Sequence, residues 1–234
     1  MKDFIKKIIP NRIWSLVRWW FFRSKMNLLN DYSQTGETKI IKELLNKKKG
    51  ETGFFIEIGA NDGITLSNTY GLLKKGWGGI SVEANPYVFQ KLQSNLSRYK
   101  NVRTVCAVVT QESGPVKLYL GKNDPEGLFS TICTDDSTWF EEHRSKTFLN
   151  VVGTTLTELF DEYKISSSPD LLIIDAEGMD YEILLSFSFS KYRPILIVTE
   201  DYPPKNELKF NLLESVGYRL SRQVGYNTFW LKSN

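Results

Sequence analysis

The chain has 234 residues, 41% of them hydrophobic and 24% charged, which suffices for one α/β domain with a sizeable core. Its two cysteines, Cys106 and Cys133, exclude a disulfide framework and lack metal-ligand spacing; no segment reads as a secretory signal, so a reducing cytosol is the expected setting. The net charge of +3 hides an asymmetry: residues 1–25 carry seven Lys or Arg against Asp3 alone, a charge of +6, and the remainder carries −3, which is not the pattern of a nucleic-acid-binding domain.

Residues 1–30 form a basic, aromatic segment, read as helical and distinct from the domain at 31–234. After Pro10, residues Ile13, Trp14, Leu16, Val17, Trp20 and Phe21 share one broad helical face, whereas Trp19 and Phe22 fall outside it. The uncharged runs are far shorter than the ~18 residues that span a bilayer. Such a segment suits peripheral contact with an anionic membrane surface, on the cytoplasmic face. The alternative is a helix packed on its own domain or on a second subunit in a homodimer.

A polar linker, Asn30 to Thr38, precedes a short helix at Lys39–Leu45. Strands and helices then alternate: strand Phe54–Ile58, helix Thr65–Lys75, strand Gly79–Glu83, helix Pro86–Leu96 with proline in its first turn, strand Val102–Val109. Cys106 falls within that last apolar run and reads as a small buried hydrophobe. Val116–Leu120 reads as an extra strand, and Trp139–Arg144 as a charged helix. A helix at Thr155–Tyr163 is capped by Thr154 or Thr155, with Glu158 placed for a capping box. Strand Leu171–Asp175, helix Asp180–Ser186, strand Ile195–Thr199 and helix Asn206–Ser215, closed by Gly217, follow. Tyr218–Arg222 and Asn227–Leu231 read as a hairpin through Val224-Gly225-Tyr226. This order predicts an α/β fold with a mostly parallel, doubly wound sheet and a C-terminal antiparallel hairpin.

The stretch Phe54-Phe55-Ile56-Glu57-Ile58-Gly59-Ala60-Asn61-Asp62-Gly63 holds the most chemistry. A buried strand ends in an acid and a loop with glycines four apart, which is neither a dinucleotide-binding nor a phosphate-binding loop. The next strand ends in Glu83, placed to accept both hydroxyls of a ribose. Two such acids suit an adenosine ligand with an amino-acid tail, and S-adenosylmethionine fits that description. A nicotinamide cofactor would also offer a ribose to Glu83, making an oxidoreductase the first rival reading; a non-catalytic membrane or partner-binding module is the second.

The order of these residues resembles the FkbM family of S-adenosylmethionine-dependent O-methyltransferases. Tyr32-Ser33-Gln34-Thr35-Gly36-Glu37 is similar to the family's Ser-Gln-x-Gly-Glu-Asp motif, with Thr38 in place of the final Asp. Phe55–Thr69 is similar to its cofactor loop, Glu83-Ala84-Asn85-Pro86 to its Glu-x-Asn-Pro, and Ile174-Asp175-Ala176-Glu177-Gly178 to its Ile-Asp-x-Glu-Gly. Thr155-Leu156 and Glu200 also fit, although the usual His-Asn after that Glu is Asp201-Tyr202 here. The resemblance implies the class I methyltransferase (Rossmann-like) fold and, as acceptors, hydroxyls on sugars or other natural products. It implies donor binding by Glu57, Gly59, Asn61, Asp62, Gly63, Thr65, Ser67, Asn68, Glu83, Ala84, Asn85, Ala107 and Asp175.

Methyl transfer to oxygen also needs a group that accepts the alcohol's proton. The candidates are His143, Asp175, Glu177 and Glu200. His143 is the only histidine, of the residue type that titrates near neutral pH. Asp175 and Glu177 follow an apolar run, and a divalent metal site is their alternative role. Ser33, Gln34, Glu37, Ser130 and Asn227 lie in predicted loops or at element ends, where substrate contacts concentrate.

Overall fold

The computed structural model describes residues 32–48, 50–122, 124, 129–133, 142–201 and 206–233. The basic segment at 1–30, the residues Trp139 and Phe140, and Tyr202 lie outside them.

In chain order the elements are α1 (Glu37–Leu44), β1 (Phe54–Ile58), α2 (Tyr70–Leu73), β2 (Gly78–Glu83), α3 (Pro86–Leu96), β3 (Val102–Cys106), β4 (Val108–Thr110), β5 (Gly114–Gly121), β6 (Ser130–Thr131), β7 (Arg144–Thr155), α4 (Leu156–Glu162), β8 (Leu171–Ile174), α5 (Asp180–Leu185), β9 (Leu196–Glu200), α6 (Asn206–Ser215), β10 (Tyr218–Val224) and β11 (Asn227–Lys232). Seven strands form the main sheet in the order β10-β11-β9-β8-β1-β2-β3. The five from β9 to β3 are parallel, and β11 enters antiparallel between β9 and β10. The chain reverses its direction of winding between β1 and β8, the point at which an open α/β sheet leaves a crevice.

The central strands read as unbroken apolar runs because both faces of the sheet are covered. Ile56, Ile58, Leu172, Ile174 and Ile197 point to one side, against Leu156, Phe160, Ile183 and Leu213 of three helices. Phe55, Leu171, Ile173 and Val198 point to the other, against Ile41, Leu72, Leu92 and Leu96. Helix ends follow the local sequence. Asn85 Oδ1 accepts the Tyr87 N–H at 3.0 Å with Pro86 at the first turn, and Thr155 and Glu158 form the reciprocal capping box.

Four expectations are corrected. The helix at Thr65–Lys75 shortens to Tyr70–Leu73, because Leu66 is left-handed (φ 54°) and Ser67 Oγ takes the Thr69 and Tyr70 N–H groups. The strand Val102–Val109 breaks at Ala107, whose N–H bonds Glu83 O (3.2 Å); its second part joins a separate four-stranded sheet ordered β4-β7-β5-β6. That sheet holds β7, twelve residues long and unanticipated, whose alternation is too weakly apolar to read, since most of its side chains are exposed or half-buried. Cys106 is exposed, not buried, because it lies at the tip of the edge strand β3.

Candidate active site

The site is built where β1, β2, β8 and β9 end. After β1 the chain folds over β2: the Gly59 and Ala60 N–H groups both donate to Val82 O, at 3.0 and 2.9 Å. On the other side Asp175 N donates to Ile58 O at 3.0 Å. Gly59 is left-handed (φ 85°), and a Cβ there would sit 1.8 Å from the Asp175 carbonyl oxygen, so the two loops touch backbone to backbone. Asn61, also left-handed (φ 48°), donates its N–H to Glu83 Oε2 at 2.8 Å, while Glu83 Oε1 accepts the Asn85 N–H at 2.8 Å. Glu57 is buried and accepts Thr69 Oγ1–H at 2.7 Å.

These loops enclose a cavity of about 340 Å³, within the usual range for small-ligand sites. Five carboxyl groups line it, from Glu57, Glu83, Asp175, Glu177 and Glu200, and no Lys or Arg among the described residues does. Burial pushes the Glu57 carboxyl up to about 8, against the Thr69 hydrogen bond and with help from the neighbouring Asp175. Burial also pushes Glu83 up to about 7, against the amide donors of Asn85, Asn61 and Ala84. Asp175 and Glu200 interact with each other, and burial raises both above the ordinary carboxyl range.

The cavity wall gathers Gly59, Asn61, Thr65, Ser67, Asn68, Ala84 and Ala107 with the acids, together with Gln34, Ser130, His143 and Asn227. His143 is exposed at the rim directly before β7, with its ring centroid 5.9 Å from that of Phe129. Five expected residues stand behind the wall. Asp62 is occupied by the N–H groups of Ile64 and Thr65, at 2.8 and 2.7 Å, and shapes the loop. Gly63 packs toward Leu92, and Asn85 caps α3 while donating to Ser130 Oγ at 3.1 Å. Ser33 and Glu37 are buried; Glu37 accepts from Thr35 and, at 2.9 Å, from Asn227 Nδ2. Among the described residues no three His, Cys, Asp or Glu side chains are grouped to hold a metal ion.

Asp180 and Thr69 escaped the sequence reading as site residues. Asp180 Oδ1 accepts the Ala176 N–H (3.1 Å) and Oδ2 the Glu200 N–H (2.8 Å), clamping the β8 loop to the tip of β9. Burial raises its carboxyl to about 7, opposed by the charge of Lys209. The one available signal was its place in Asp175-x-Glu177-Gly178-x-Asp180.

The family model described as Methyltransferase FkbM domain matches residues 57–226, which includes the ends of β1, β2, β8 and β9. The chain belongs to the FkbM methyltransferase family. No curated protein matches it. Among solved structures, the MTase domain of METTL16 aligns at 11% identity and TM-score 0.53, over 85% of this chain and 67% of that one. An FkbM methyltransferase from Methylobacillus flagellatus KT aligns at 15% identity and TM-score 0.47, over 77% of this chain and 43% of that one. A precorrin-6y C5,15-methyltransferase from Geobacter metallireducens GS-15 aligns at 16% identity and TM-score 0.48, over 84% and 87%. The fold is that of class I methyltransferases.

As an FkbM methyltransferase the protein uses S-adenosylmethionine as methyl donor, and the cavity fits that cofactor. Asn61 and Asn68 each keep a buried side-chain oxygen with no partner among the described residues, both on the wall beside Glu57 and Glu83. Unpaired acceptors, and acids on a wall with no cation among the described residues, are a set that an ammonium and a ribose would complete. Of the two departures from the family motifs, Thr38 is buried and donates to the Asn68 carbonyl at 3.2 Å, while Asp201 is buried against Lys209.

The raised acids set the pH response of the donor-free protein. Its folded state retains protons on Glu57, Glu83 and Asp180 that an unfolded chain releases near pH ~4.5. That stabilisation is complete below this pH and is lost as pH rises through 7 to 8. The melting temperature of the donor-free protein is therefore expected to drop by about 5 °C or more between pH ~5 and ~8.5. Saturating S-adenosylmethionine should shrink the drop, because a bound cation favours the ionised acids. A melting temperature that climbs across this window would contradict the burial of these groups.

Proposed function

We propose that this methyltransferase transfers its methyl group to a hydroxyl of a sugar, glycan or glycolipid-type acceptor. The observation that carries the reading is the convergence of Asp175, Glu177 and Glu200 on the donor cavity, with the amides of Gln34 and Asn227 on the same wall. Carboxylates and amides together match the alternating donors and acceptors of a polyol. A wall free of Lys and Arg among the described residues suits a neutral reacting portion.

When bound, S-adenosylmethionine supplies an electrophilic methyl carbon on a sulfonium. The residues of this chain do the rest. Glu57 and Glu83 hold the methionyl and ribose ends and stay away from the sulfur, since stabilising a charge that vanishes during transfer would favour the ground state. The polar wall holds the acceptor oxygen in line with the methyl carbon, a positioning effect that can supply several kcal/mol. The Asp175–Glu200 pair takes the hydroxyl proton: burial raises both groups, and a carboxylate raised above its ordinary range is a stronger base than an exposed one. His143 at the rim is the second candidate base.

Incubation with methyl-labelled donor and a panel of sugar nucleotides and lipid-linked glycans tests the reading. The expected product is a labelled methyl ether; label recovered only on nitrogen, carbon or a macromolecule outside the panel would overturn it. Lipid-linked glycans belong in the panel because residues 1–25 carry +6 with clustered aromatics, which supports peripheral membrane contact. Deleting those residues should abolish sedimentation with anionic liposomes, and unchanged sedimentation refutes that part.

A further inference from the structure

We propose that Lys209 is a positioning residue of the active site, which fixes the tip of β9 from behind and so holds Glu200 on the cavity wall. Lys209 lies on α6 and is 3% exposed. Its Nζ donates to the backbone carbonyl of Glu200 and forms an ion pair with Asp201, itself 2% exposed. A lysine buried this far is rare unless its charge is answered, and a buried ion pair gives little net stability. Its placement is therefore the informative feature.

Lys209 grips one residue of the strand tip whose other side is also held. Asp180 accepts the Glu200 N–H at 2.8 Å and, with its second oxygen, the Ala176 N–H at 3.1 Å. Glu200 is thus clasped at its N–H by Asp180 and at its C=O by Lys209, side chains from two different helices, and the Asp180 end ties in the loop that carries Asp175 and Glu177. Asp201 extends the brace, since its N–H donates to Tyr226 O at 2.7 Å next to Asn227 on the wall. Lys209 does not line the cavity, so it acts through Glu200 and not on a ligand. The placing of Glu200 beside Asp175 on the cavity wall depends on where this strand tip is held, and displacements of about 1 Å are costly in such sites.

The test uses the full chain with 13C-labelled glutamate carboxyls, the Glu200 signal being assigned by Glu200→Gln. Asp175 and Glu177 on the β8 loop and Asp180 on α5 act on this carboxyl, and Lys209 on α6 reaches the backbone carbonyl of the same residue. In Asp201→Asn/Lys209→Met, which keeps the volume and removes a cation and an anion together, the Glu200 titration midpoint should fall by about one pH unit or more as the tip opens to water. Donor affinity, read by calorimetry, should change less than about threefold, since Glu57 and Glu83 are untouched. A folded double variant with the wild-type Glu200 midpoint would overturn the proposal. So would a wild-type Lys209 ammonium whose protons exchange at the rate of an exposed lysine, a reading that needs no variant.

Discussion

Gly59→Ala should leave a protein that no longer binds S-adenosylmethionine and has lost about 3 kcal/mol or more of stability. Two costs combine. The residue is left-handed at φ 85°, a conformation that disfavours any side chain by ~1–2 kcal/mol. The new methyl would also lie 1.8 Å from the Asp175 carbonyl oxygen, and the atom in its way is backbone, not a rotatable side chain. Relief requires the loops after β1 and β8 to part, which moves Glu57 and Asp175 relative to each other. Gly50→Ala supplies the control: its φ is 94°, yet nothing lies within 4 Å of the added carbon. Gly50→Ala should cost only ~1 kcal/mol and bind donor normally. Thermal unfolding and calorimetry on both variants decide; similar behaviour of the two would dismiss the backbone contact as the cause.

Glu57→Ala is expected to weaken donor binding by about 100-fold or more while the protein stays folded. A charge-assisted hydrogen bond lost from a desolvated site is worth ~1.5–3 kcal/mol, and the Thr69 hydroxyl that now donates to Glu57 is left unanswered as well. Unfolding is not the expected route to the loss. In the donor-free protein the ionised Glu57 is disfavoured by burial, so removing it relieves a cost. Glu57→Gln separates charge from shape: it keeps the Thr69 partner and should lose the portion of affinity owed to the donor's positive charge. Calorimetric titration near pH ~8.5, where the wild-type carboxyl is mostly ionised, gives the cleanest comparison. Wild-type affinity in Glu57→Ala would remove this acid from the donor site.

Some of this was legible because it is local. The run Phe54–Ile58, followed by glycines at 59 and 63, is a parallel strand entering a ligand loop for reasons confined to a dozen residues, and the same holds for Asn85-Pro86 opening α3 and for the Thr155–Glu158 cap. The acids at strand tips could be foreseen in the same way, since strand ends were readable and Glu57, Glu83, Asp175 and Glu200 follow from them. Glu37 shows the limit. Its position in the polar linker looked like a substrate contact, but its carboxyl is turned inward to Thr35 and Asn227, a partner 190 residues away. Asp62 looked like a ligand contact and instead closes its own loop.

The sequence by itself determined the parallel α/β order, the acids at the ends of β1, β2, β8 and β9, and the membership those motifs announce, because each rests on period, spacing or a cap. Only the tertiary structure decided the second sheet, the direction each acid faces and the brace behind Glu200. The twelve residues of β7 acquire their strand by pairing with β5, and Lys209 becomes a buried cation only because α6 lays it against Asp201 and the β9 tip. Such contacts join residues whose sequence separation hides them, and their energy comes from desolvation and pairing that exist only once the chain has closed.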